Sequence, residues 1–108
     1  MELQSITAEL RMAGSRLSKG AEELFKLARE KAESERDYRQ ALAREIMSLR
    51  QEGVPVSIIG DLARGNIAEE KFRRDLADAK YIAGREALES VRAQVSALQS
   101  ILRYQEET

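Results

Sequence analysis

The chain contains no cysteine and no histidine. Disulfides, thiol nucleophiles, the usual zinc ligands and histidine acid–base chemistry are therefore all excluded. Tryptophan is also absent, aromatics are only 5% of the residues, and Pro55 is the sole proline. Neither sign of charge dominates: 18 basic residues face 19 acidic ones in 108, a net charge of −1. No global field draws such a chain to nucleic acid or to a membrane. No apolar run approaches the roughly 20 residues of a membrane span, so no membrane partner is expected. The opening "MELQSITAELRMAG" is charged at its second residue and does not read as a secretory signal. With the lack of cysteine, this sets the expectation of a cytoplasmic protein.

What remains is the material of long helices: fifteen alanines, abundant Glu, Arg and Leu, and few β-branched runs. Leu3, Ile6, Leu10, Ala13, Leu17, Ala21, Leu24, Ala28 and Ala32 recur every three or four positions. Tyr38, Leu42, Ile46 and Leu49 continue that stripe, which predicts one helix over 2–52. Gly14 and Gly20 interrupt it without changing its phase, and Gly53 stands where a C-terminal cap belongs. A second stripe, Phe72, Leu76, Ala79, Ala83, Ala87, Val91, Val95, Leu98 and Leu102, predicts a helix over 66–106. Asn66 and Glu69, three apart, are expected to cap its start.

The connection, 53–65, is longer than the roughly 2–8 residues a plain hairpin uses. It carries apolar residues of its own, and Ser57 is expected to cap a short helix ending at Gly65. The expected fold is all-α: a single helical domain over 1–108, a long antiparallel hairpin with a short helix in the loop. Helices of about 70 and 60 Å are too long for a compact globule of this size. Antiparallel pairing would leave Leu3, Ile6 and Leu10 projecting beyond the C-terminus. Leu3, Ile6, Leu10 and Leu17 are thus the expected oligomer interface, closing a bundle or coiled coil as a homodimer or larger assembly.

No constellation signals catalysis. Glu22, Glu35, Glu69 and Glu70 each precede a basic residue by four, the favourable arrangement for exposed helix pairs. No Glu-x-x-His is present, and "GDLARG" lacks the Lys-Ser/Thr of a phosphate loop. Neither an enzyme, a cofactor nor a metal is expected. Two readings attach to the loop residues Ile58, Ile59 and Leu62: a plug on the helix pair, or a surface for a protein partner. Arg44, Arg50 and Arg64 gather near the same end, have no acid four positions earlier, and are candidates for an anionic partner. "PVSIIGDLARGNIAEEKFRRD" also has a helix-turn-helix look, so nucleic acid stands as an alternative partner.

Ala32, Tyr38, Leu42, Gly53, Pro55, the run Asp61-Leu62-Ala63-Arg64-Gly65, Arg74-Asp75 and Tyr81 carry a resemblance. From about Ala28 to Gln105 the chain resembles small helical proteins encoded by phages and prophages of Gram-positive bacteria. The resemblance implies an accessory protein, of the replication or recombination region, and assigns no chemistry to any residue. The function expected is a non-catalytic binding or adaptor protein acting through self-association and protein contact. The alternatives are a nucleic-acid accessory protein and a counter-defence protein that inhibits a host enzyme or sequesters a small anionic ligand.

Overall fold

A computed structural model describes residues 2–107. Three helices follow one another: α1, Leu3–Gln51; α2, Val56–Asn66; and α3, Ala68–Glu107. α1 and α3 pack antiparallel as a hairpin, with α2 in the connection. α1 runs unbroken through Gly14 and Gly20.

The ends of these helices follow from local chemistry. α1 stops at Gly53, whose φ of 82° is open to glycine at little cost. The Gly53 N–H donates to the Arg50 carbonyl and the Val54 N–H to that of Leu49, each at 3.1 Å. This is the Schellman arrangement, and Val54 completes it by packing beside Leu49. Arg50 in the last turn complements the helix dipole, as Glu69 and Glu70 do in the first turn of α3.

The connection departs from expectation at three places. α2 starts one residue after Pro55, which occupies the N-cap with φ −58° and ψ 137°, so Ser57 lies inside the helix and does not cap it. Proline suits this position because its fixed φ leads directly into the first turn. Gly65 is helical, and the break falls at Ile67, φ −110° and ψ 31°. Nor does Asn66 begin α3: it is the last residue of α2, and its side-chain amide donates to Glu45 Oε1 at 2.9 Å. Burying Ile67 to 6% exposure favours placing the bend there.

The hairpin comprises two compact units. The first is built from residues 2–26, all but the first in α1, and 82–107 of α3. Its half-buried or buried positions recur every seven residues: Ile6, Ala13 and Gly20 with Leu10, Leu17 and Leu24 on α1, and Leu88, Val95 and Leu102 with Gly84, Val91, Leu98 and Gln105 on α3. Gln105 is the one polar residue of this repeat, and the half-buried Glu9 stands beside it. Ile6 is wholly buried although the sequence placed it on an open ridge. The end of α3 reaches Glu107 and supplies this unit with a second helix along which Ile6 can turn inward. At Gly20 the helices approach so closely that an added Cβ would sit 2.8 Å from Leu88 Cδ1.

The second unit, Leu27–Tyr81, holds the rest of both long helices and all of α2. The same repeat continues as Leu27, Lys31, Ser34, Tyr38, Ala41 and Glu45 on α1. From Ile67 it runs into α3 as Glu70, Arg74, Ala77 and Tyr81. Here about half the inward positions are polar. The apolar stripe read from the sequence therefore holds at Val91, Val95, Leu98 and Leu102 and fails earlier on α3. Phe72 is 60% exposed and Leu76 41%, and Ala79, Ala83 and Ala87 are exposed. Repeats of seven advance 3.5 residues per turn against 3.6 for a straight stripe, so the two drift apart over about forty residues.

Candidate functional site

At the turn end, the adjacent residues Ile58 and Ile59 go opposite ways. Ile59 is 5% exposed and forms a cluster with Leu49 and Ala63, flanked by Leu42, Ile46 and Val54. Ile58 and Leu62, four apart on α2, stay 50% and 41% exposed, and Val56 is 80% exposed. The plug and the surface thus belong to different faces of one helix. Helical geometry requires this, since residues four apart share a face and adjacent residues do not.

The three turn-end arginines also divide. Arg64 Nη1 donates to Asp61 Oδ1 at 3.1 Å, so an acid three positions earlier holds it. Arg44 and Arg50 are exposed and form no ion pair among the described residues. Of the expected oligomer residues, Leu3 is 52% exposed, Leu10 and Leu17 are half-buried, and Ile6 is covered.

The most organised chemistry lies in the polar seam of the second unit, which hydrophobic periodicity did not reveal. Lys31 Nζ is 3.5 Å from Asp78 Oδ1 and 5.1 Å from the centre of the Tyr81 ring. The Arg74 guanidinium lies 4.0 Å from the centre of the Tyr38 ring and 3.8 Å from Glu35 Oε2. The contacts are reciprocal because the two helices carry the same pattern. "KAESERDY" at 31–38 and "RDLADAKY" at 74–81 both read cation, three residues, acid, two residues, tyrosine. Each helix's cation meets the other helix's acid and aromatic face. The signal for this seam is the match between the two eight-residue segments, which shows when one is laid on the other.

Compared with protein-family models, curated proteins and solved structures, the chain matches none.

Surrounding ion pairs extend the seam. Arg39 Nε donates to Glu35 Oε1 at 2.9 Å, Lys80 Nζ is 3.6 Å from Glu30 Oε1, and Lys71 Nζ donates to Asp75 Oδ2 at 2.8 Å. Arg73 pairs with Glu69 at 3.6 Å as its spacing predicted. Arg74 does not pair with Glu70: its guanidinium is spent on Asp75, Glu35 and Tyr38. The hydrogen bond to Asp75 is the main reason that the Arg74 guanidinium sits above its ordinary value. Asp75 is held below the usual carboxylate value, first by its hydrogen bond from Lys71 and then by that from Arg74.

Beside this seam, Ala28, Lys31, Ala32, Glu35, Arg39 and Tyr81 line a shallow groove of about 440 Å³. Its charged groups Lys31, Glu35 and Arg39 all have ion-pair partners within the chain. Among the described residues, no group of three or more acids is arranged to hold a metal ion. No helix is long and apolar enough to cross a membrane.

Proposed function

We propose that this is a non-catalytic adaptor that self-associates and binds another protein, with the outward face of α2 as the partner surface. The carrying observation is the division of α2. Ile59 and Ala63 anchor the helix to α1, while Ile58 and Leu62 stand one turn apart on its solvent face. The backbone of an anchored helix loses little further entropy on binding, which suits a docking surface. The seven-residue repeat supports reading the hairpin as a two-stranded coiled coil, a scaffold that presents this face. The phage resemblance supports an accessory role in a Gram-positive host.

The test compares the unaltered chain with Ile58→Asp/Leu62→Asp as baits in a Gram-positive lysate, with and without nuclease. The expected result is a stoichiometric protein that survives nuclease and is lost by the variant, while the variant keeps its helical circular dichroism and still melts cooperatively. Equal capture by both baits would overturn the assignment of the surface. Capture abolished by nuclease would favour a second reading, nucleic acid at Arg44 and Arg50, which those two unpaired exposed arginines support.

A further inference from the structure

α3 of the second unit carries two faces of different chemistry. The inward face holds Arg74, Ala77 and Tyr81 against α1. Turned away from it, Phe72, Leu76 and Ala79 follow at spacings of four and three and are all exposed. The more apolar of the two faces is the one left in water. Its edges are charged with opposite signs: Asp75 lies on one side, Arg73 and Lys80 on the other.

We infer that this stripe docks a second copy of the chain, α3 lying parallel to its counterpart. The inference rests on the self-association reading and supplies its interface. Two observations select a second copy. In a parallel helix pair, the residue flanking one edge meets the residue five positions later on the partner's opposite edge. That rule brings Asp75 of each copy beside Lys80 of the other; both side chains are about half exposed and could share their charge with the partner while keeping their pairs to Lys71, Arg74 and Glu30, so the charges complement one another twice. The spacing of four and three matches the seam positions of such a pair, and alanine at 79 permits close approach.

Cysteine substitution in the full chain tests the inference, because the native sequence has no cysteine. In a parallel pair each seam position faces its own copy. Ala79→Cys and Ala83→Cys, one turn apart on the same helix, should therefore each give a disulfide-linked dimer under mild oxidation. An antiparallel pair would link at one of these sites at most. Phe72→Glu should weaken dimerisation at least tenfold by sedimentation while leaving the helical circular dichroism unchanged, since Phe72 is mostly exposed. Lys80→Glu should weaken it in a salt-dependent way. A dimer that fails to cross-link at both positions, or that persists with Phe72→Glu, overturns this interface and leaves self-association standing. A monomer at tens of micromolar overturns both.

Discussion

Replacing Ile59 by alanine, with Ile58→Ala as its neighbour control, measures how firmly α2 is seated. Ile59 is 5% exposed among Leu49, Ala63, Leu42, Ile46 and Val54. The substitution removes three carbons. At about 0.8 kcal/mol per buried carbon the transfer loss is roughly 2.4 kcal/mol. The cavity left behind adds to this, giving an expected destabilisation of about 3 kcal/mol, within the range of about 2–5 observed for such truncations. Ile58 is half exposed, and the same truncation there should cost about 1 kcal/mol. In a domain of this size each kcal/mol shifts the melting temperature by about 4–8 °C. The pair should therefore differ by at least about 8 °C in thermal melts followed at 222 nm, with matching differences in urea midpoints. Ile59→Asp should be worse still, because it buries an unpaired charge. Equal shifts for Ile58→Ala and Ile59→Ala would refute the division of α2 into an anchored and a free face.

Glycine substitutions separate helix propensity from packing. Gly14→Ala and Gly65→Ala meet nothing within 4 Å and should each stabilise by up to about 1 kcal/mol in urea unfolding. Gly20→Ala should forfeit that gain against Leu88, and Gly53→Ala should destabilise through its positive φ. A Tyr38→Leu/Arg74→Met double-mutant cycle should return a coupling of about 0.5–2 kcal/mol, and additive effects would argue against the ring contact. Asp75 should titrate by carboxyl-carbon NMR below the 3.8 of an unperturbed aspartate. Its folded value is depressed, so its stabilising contribution is present above the unfolded value and lost as pH falls through the folded one. Lys71→Gln should raise that midpoint, and an unchanged midpoint would contradict the hydrogen bond from Lys71.

The helical fold and the stop at Gly53 were legible because each rests on local chemistry: periodicity, propensity and a glycine where φ must be positive. The phase of α2 was not. It depends on whether the helix starts from Pro55 or Ser57, and without it Ile58, Ile59 and Leu62 could be read only together, as one plug or one surface. The stripe on α3 misled for a related reason. Phe72, Leu76, Ala79 and Ala83 form the more hydrophobic face, and a reading that ranks faces by apolarity selects them. The chain instead buries Arg74 and Tyr81 part-way, because across the seam the cation meets an acid and a ring. Pairing of that kind depends on residues some forty positions apart and leaves no trace in a moving window. The site residues fared likewise: the spacing at Arg64 was read at four, whereas its acid lies at three.

The reciprocal pattern at 31–38 and 74–81 has a consequence for how the chain finds itself. Because these two segments carry the same order of cation, acid and tyrosine, their side-chain chemistry does not by itself distinguish 31–38 from 74–81 as a partner. A free α1 segment offers another α1 the same complement that α3 offers. The distinction is made by covalent linkage. Joining the two segments through the connection at Gly53 and α2 makes their meeting unimolecular, at an effective concentration on the order of millimolar for a short tether. Partners in trans, present at far lower concentration, are outcompeted for the seam. In this sense the turn acts as a concentration device: it assigns each helix to its own chain and so leaves the outer faces free for other contacts.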